Sequence, residues 1–287
     1  MFETRQKNQK TFQIEQGWSL EGRDPKFIQT IMPYWEWFYR YYFRVKTDGW
    51  HHIPSQGKVL LVGSHNGGLA SPDTSMMMYD WFRRFGTERL VYGLMHQSSW
   101  TINPFLSRLA VQAGAVRASP KMAIAAFKKG ASVLVYPGGA QDVFRPYSQR
   151  HKIVLAGRKG FIKLALRENV PIIPLIAVGA HETLFIMGDF YEQAKQLHQW
   201  GMPWLYGLDP EVFPIYLGLP WGIGIGPVPN FPLPLPIHTR VCPPIFFEKY
   251  GREAASDRPY VDTCYDLVVS NMQQALDQLV ADTQAQD

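Results

Sequence analysis

Cysteine is almost missing from this chain: of 287 residues only Cys242 and Cys264 are thiols. Without metal-ligand spacing around them they form neither a zinc site nor a disulfide framework, which points to a reducing, cytoplasmic setting and to no bound metal. Charge of one sign is also scarce. Lys and Arg total 29 against 24 Asp and Glu, a formal +5 without long basic tracts. That lacks the dense basic stripe of a nucleic-acid binder but suits an anionic substrate or an anionic lipid surface. No long apolar run is free of breakers. The longest uncharged stretch, 212–239, holds seven prolines, which rules it out as a lipid-exposed spanning helix. The first 25 residues, with Arg5, Lys7 and Lys10 and no apolar centre, make no signal peptide. Internal repeats are absent as well.

What is present can build a large core. The composition is 46% hydrophobic and 14% aromatic, which excludes a mainly disordered chain. Apolar runs at 58–63, 90–95, 132–136, 172–178 and 238–242 read as strands. Helical patterns at 74–85, 104–112, 121–129, 158–167, 190–200 and 262–280 alternate with them. The alternation predicts an α/β fold, a layered sheet with helices on both faces. Two segments stand apart. Residues 33–44, PYWEWFYRYYFR, hold eight aromatics and read either as a helix packed on the core or as one lying in a membrane interface. Residues 203–246 carry half of the 22 prolines, forcing extended backbone suited to a surface crossover or the wall of an apolar groove.

Three stretches carry candidate chemistry. The run Gly63-Ser64-His65-Asn66-Gly67-Gly68-Leu69-Ala70-Ser71-Pro72-Asp73 follows an apolar strand and opens a helix. A histidine there sits at the rim of an α/β sheet, where an imidazole can take a proton from a hydroxyl if a carboxylate such as Asp73 fixes its tautomer. Equally, His65 reads as a polar loop residue and Asp73 as a helix cap. The second run, Val133-Leu134-Val135-Tyr136-Pro137-Gly138-Gly139-Ala140-Gln141-Asp142, ends a strand in two glycines. These either let backbone N–H groups cradle an oxyanion or simply make a tight turn. The third, Gly157-Arg158-Lys159-Gly160-Phe161-Ile162-Lys163-Leu164-Ala165-Leu166, is an amphipathic helix. After it comes Val170-Pro171-Ile172-Ile173-Pro174-Leu175, a strand whose prolines suit its first residues or a sheet edge. No Gly-x-Ser-x-Gly elbow occurs, which argues against an ordinary α/β-hydrolase.

In this order, over roughly residues 50–247, the motifs resemble the glycerolipid acyltransferase superfamily. They are most similar to its diacylglycerol acyltransferase 2 branch with the bacterial and phytyl-ester-synthase-type relatives. The resemblance implies a glycerol-3-phosphate acyltransferase-like α/β fold, a layered mixed sheet flanked by helices. It divides the chain into an aromatic-rich helical segment over 1–49, interfacial to a membrane in one reading, and an acyltransferase domain over 50–287. It implies an enzyme needing no cofactor beyond acyl-CoA or acyl-ACP as co-substrate, acting on a lipid alcohol as a peripheral protein at a membrane surface, with no nucleic acid involved. His65 is then the general base, with no Ser or Cys nucleophile needed. Tyr136, Pro137, Gly138, Gly139 and Asp142 match the third block, where Asp142 replaces the usual Glu. Arg145, Arg158, Lys159 and Lys163 are the candidates for meeting donor phosphates.

Two departures shape the expectation. The family's acid position in His-x4-Asp holds Ala70 here, and Asp73 gives His-x7-Asp. The added residues, bent by Gly67 and Gly68, return Asp73 to the acid's place, with Asp80 the weaker substitute two turns further on. Arg117 does not align with the second-block arginine of glycerol-phosphate enzymes, which favours a neutral acceptor such as diacylglycerol or phytol. The alternatives are a lysophospholipid or glycerol-phosphate acyltransferase, a thioester hydrolase, and a catalytically silent lipid-binding protein on the same fold.

Overall fold

The computed structural model describes residues 11–102, 104–204, 207 and 209–285. Arg5, Lys7 and Lys10, on which the expectation of no signal peptide partly rests, lie outside the described residues. From the N-terminus the chain forms α1 (Pro25–Trp37), β1 (Lys46–Asp48), β2 (Leu60–Gly63), α2 (Pro72–Phe85) and β3 (Val91–Met95). It continues through α3 (Gln97–Ile102), α4 (Pro104–Gln112), β4 (Ala115–Arg117), α5 (Pro120–Lys128), β5 (Ser132–Val135), α6 (Gly139–Val143), α7 (Gly160–Glu168) and β6 (Ile172–Val178). Next come β7 (Phe185–Asp189), α8 (Tyr191–Gln199), β8 (Pro214–Gly218), β9 (Gly222–Ile225), β10 (His238–Val241), α9 (Arg252–Ser256) and α10 (Arg258–Gln284). Helix starts follow local chemistry. Asp24 accepts Lys26 N–H ahead of Pro25, and Ser119 accepts Met122 N–H ahead of Pro120.

The main sheet has the order β1-β10-β6-β2-β5-β3-β4. β6, β2, β5, β3 and β4 run parallel, β10 is antiparallel to β6, and β1 is parallel to β10. This is the layered mixed α/β sheet expected. Its parallel strands are buried on both faces, as apolar runs without alternation require. Leu60, Val62 and Val133 pack against Ala126, Phe127, Ile162 and Met272 of α5, α7 and α10 on one face. Leu61, Leu134 and Ile173 pack against Ile28 of α1 and Met77 and Trp81 of α2 on the other.

Three local readings change. β6 lies inside the sheet rather than at an edge, and Pro174 is its third residue, its carbonyl still accepting Cys242 N–H at 2.9 Å. The 33–44 segment is not one helix: α1 stops at Trp37, a π-helical turn covers Phe38–Tyr42, and Arg44 takes a left-handed φ of 45°. Tyr39 and Phe43 are buried while Tyr34, Trp37 and Tyr41 are exposed, so the segment both packs on the core and presents rings to solvent. The proline-rich region is more than a surface crossover, because its β8 and β9 form a hairpin that joins β7 in a second, antiparallel sheet. There Tyr216 is buried between outward-facing Ile215 and Leu217, an alternation the prolines obscure. β1 sits within residues 1–49 yet pairs with β10.

Trp81 is fully buried, and its indole N–H donates to Arg89 O at 3.0 Å. Trp81→Ala should lower the unfolding free energy by about 3–5 kcal/mol in denaturant titrations; an unchanged midpoint would contradict this packing.

Candidate active site

β2 and β5 are parallel neighbours, so their carboxyl ends deliver the loops that carry His65 and Tyr136 to one place on the sheet rim. Gly63 closes β2 because a Cβ there would stand 2.2 Å from the Tyr136 ring. That close approach lets Tyr136 stack on the His65 imidazole, centroids 4.5 Å apart at 24°. Burial, reinforced by the negative charge of Asp73, pushes the Tyr136 phenol well above its ordinary pKa, so it stays neutral.

After His65 the chain turns through Gly67, at φ +76°, and a short 3₁₀ turn at Gly68–Ala70. A Cβ on Gly67 would stand 2.7 Å from Thr183 Oγ1. Ser71, at φ +44°, is a left-handed non-glycine residue of the kind that concentrates at functional sites. Pro72 then starts α2 and fixes Asp73 in its first turn. Asp73 Oδ1 lies 3.6 Å from His65 Nδ1, with side-chain exposures of 4% and 21%. This is longer than a hydrogen bond, and Nδ1 has no other partner. The opposite nitrogen, Nε2, faces Ser71 Oγ at 3.3 Å. Asp73 also accepts Thr74 N–H at 2.8 Å and Asn66 Nδ2 at 3.2 Å. The other candidate acid, Asp80, is bound by Tyr39 OH at 2.9 Å and by Arg83 and Arg84.

Beneath the loop lies a buried ion pair, Asp142 with Arg145, 2.9 Å apart and side-chain exposures of 0% and 2%. Asp142 accepts the His65 backbone N–H and, at 3.1 Å, the Ser64 hydroxyl. Arg145 donates to His65 O at 2.7 Å, to Asn66 Oδ1, to Gln149 O at 3.2 Å and to Arg150 O at 3.0 Å. Burial pushes the Asp142 carboxyl up to about 6, against the pull of Arg145 and the His65 N–H, so it remains ionised at neutral pH. His181 Nε2 lies 2.9 Å from Arg145 O. Burial, with the Arg145 charge adding to it, depresses that imidazole to about 3 and keeps it neutral.

This geometry corrects several expectations. Asp142 and Arg145 are not surface ligands for the donor: both are enclosed, and the guanidinium donors are occupied within the protein. At Gly138 an added Cβ would stand 2.0 Å from Val154 O and 2.3 Å from Asp142 Cβ. It is glycine so that Asp142 can come close. Gly139, at φ +56°, leaves room for Arg158, which reaches Pro137 O at 3.3 Å and pairs with Glu211. Lys159 pairs with Asp262 of α10 at 2.7 Å, and Lys163 is exposed on α7; neither contacts the His65 loop. Ser64, Asn66, Ser71 and His181 were given no role by sequence; only the placement of the first three beside His65 hinted at one.

The assembly is a histidine between a buried carboxylate and an open side, able to accept a proton from a hydroxyl. Among the described residues no cluster of His, Cys, Asp and Glu could hold a metal ion. The family profile described as Diacylglycerol acyltransferase matches residues 22–274. The chain is 28% identical over 263 residues to an uncharacterized protein of Mycobacterium tuberculosis, covering 91% of this chain and 68% of that one. It is 24% identical over 189 residues to human acyl-CoA wax alcohol acyltransferase 2, covering 59% and 54% respectively. It is also similar to the crystal structure of 1-acyl-sn-glycerophosphate acyltransferase from Thermotoga maritima, with 15% identity, TM-score 0.49, and coverage of 90% and 80%. The chain belongs to the diacylglycerol acyltransferase family. It is an O-acyltransferase of lipid biosynthesis.

Proposed function

We propose that this enzyme moves a fatty acyl group from acyl-CoA or acyl-ACP to the hydroxyl of a neutral lipid alcohol, with His65 as general base. The observation that carries this reading is the placement of the two ring nitrogens, Nδ1 toward buried Asp73 and Nε2 toward a hydroxyl oxygen at 3.3 Å. Asp73 holds the proton on Nδ1 and supports the imidazolium once it forms. Nε2 takes the proton of the acceptor alcohol as its oxygen attacks the thioester carbonyl. The C–S bond then breaks, and the thiol leaves with that proton. The 3.6 Å gap to Asp73 is of the loose kind that tightens when substrate is bound.

A neutral acceptor is favoured because Arg145, beside the His65 loop, and Arg117, on the edge strand β4, are both occupied within the protein. Arg145 is enclosed, and Arg117 is held by Gln16 O and Oε1, both at 3.2 Å, and lies over Trp18 and Trp100. The human relative whose name specifies a wax alcohol acceptor points the same way. Arg158, beside the Gly138-Gly139 turn, remains the best placed residue for donor phosphates, and would have to exchange Glu211 for them.

The acceptor would arrive from a lipid surface. No described helix is long and apolar enough to cross a membrane. Apolar side chains instead lie along one side: exposed Trp37 is 6.0 Å from half-buried Tyr42, Tyr42 is 5.9 Å from exposed Phe231, and the Phe231 backbone bridges to Leu219, with Leu219 and Trp221 also exposed. Phe185, Leu217 and Ile223 pair across the outer face of the small sheet and are all exposed. Asn230 ties this side to the His65 loop, accepting Ala70 N–H at 3.2 Å and donating to Gly67 O at 3.1 Å.

His65→Ala should lower turnover, read as thiol release, by about 10²–10⁴-fold with the fold intact. Retention within about threefold of wild type would exclude the general-base role. Asp73→Asn should cost about tenfold or more, while Asp80→Asn, whose carboxylate serves Tyr39, Arg83 and Arg84, should change little. The reverse ranking would transfer the role.

The protein should co-sediment with vesicles, more with anionic than with neutral lipid, and high salt should release it only in part. Replacing Trp37 and Trp221 by Asp should abolish binding. Complete recovery of wild type in the supernatant with both vesicle types would refute the lipid-surface reading.

A further inference from the structure

Asn66 is 99% shielded from solvent, being only 1% exposed, and each of its polar hydrogens and its oxygen has a partner. Nδ2 donates to Ser64 O at 2.8 Å and to Asp73 Oδ2 at 3.2 Å, while Oδ1 accepts from Arg145 Nη2. The orientation of the amide is fixed by its neighbours. A guanidinium can only donate, and a carboxylate and a carbonyl can only accept, so the flipped amide would mismatch all three partners. An isosteric aspartate would satisfy Arg145 but present a second carboxylate to Asp73.

On the assignment of His65 as the base, we infer that Asn66 is a positioning residue that carries the hold of the buried Asp142–Arg145 pair to Asp73, and so sets the His65 imidazole. The chain of contacts is continuous. Asp142 holds the peptide N–H of His65, Arg145 holds its carbonyl, and Asn66 joins Arg145 to the carboxylate that faces Nδ1. Asp73 Oδ1 is meanwhile kept by Thr74 N–H, so Asn66 is the side chain that fixes its second oxygen. Without Asn66 the carboxylate can rotate about its side-chain bonds, and the 3.6 Å approach to Nδ1 is no longer enforced. Asn66 does not touch the reacting atoms, so its removal should slow the chemical step without weakening substrate binding.

The test is a double-mutant cycle on the full chain, with thiol release from an acyl-CoA and a long-chain alcohol as readout. Asn66→Ala should lower kcat about tenfold or more with KM for both substrates within about threefold. Combined with Asp73→Asn it should turn over within about threefold of Asp73→Asn alone, since both act on one contact. Asn66→Asp keeps the volume and the oxygen for Arg145, so it supplies the same comparison if the alanine variant does not fold. Its kcat should fall about tenfold or more. Unchanged kcat in both Asn66 variants, or losses that multiply in the double variant, would overturn the positioning role. If His65→Ala meanwhile abolishes turnover, the general-base reading stands alone. If His65→Ala turns over normally, both fall.

Discussion

The Asp142–Arg145 ion pair grips the peptide of His65 from both sides, the carboxylate on its N–H and the guanidinium on its carbonyl. Taking two charges out of water costs several kcal/mol per ion and is tolerated only where every remaining hydrogen-bonding group is satisfied. Here the surrounding carbonyls, Ser64 and Asn66 meet that condition. The glycines follow from the same demand. Gly138 allows Asp142 to approach, Gly63 admits the Tyr136 ring against His65, and Gly67 lets the loop turn beside Thr183. A loop on a protein surface is ordinarily mobile. Anchoring this one to a buried charge pair converts it into a fixed mount for an imidazole.

Much of the frame was legible in the sequence, because buried parallel strands write themselves as apolar runs and amphipathic helices keep their period. β2, β5 and β6 and the helices α2, α4, α5 and α7 formed near their expected places, and Asp73 lies 3.6 Å from His65. The three-residue strands β1 and β4 were too short to carry a pattern, and prolines masked the β8–β9 hairpin. The enclosure of Asp142 and Arg145 was not legible for a different reason. An Asp and an Arg three positions apart read as surface charge, and only tertiary packing reveals that they are enclosed. Asn66 was overlooked because an amide next to a histidine carries no signature until its three partners are in place.

The same layout joins the His65 loop to an exposed apolar surface. Asn230 links the turn after His65 to the exposed rings of Phe231 and the β8–β9 hairpin. The enclosed arginine contributes rigidity and leaves the acceptor side without a phosphate-binding charge from that residue.

A His65 that acts through Nε2 requires its neutral ring to carry the proton on Nδ1, the nitrogen facing Asp73 at 3.6 Å. Long-range proton–nitrogen correlation spectra of histidine-labelled protein near neutral pH, assigned by comparison with His65→Asn, read that tautomer directly. The expected result is a protonated Nδ1 and a bare Nε2, with the preference weakened in Asp73→Asn. A ring protonated on Nε2 with Nδ1 bare would contradict the arrangement, because the nitrogen offered to the acceptor hydroxyl could not take its proton.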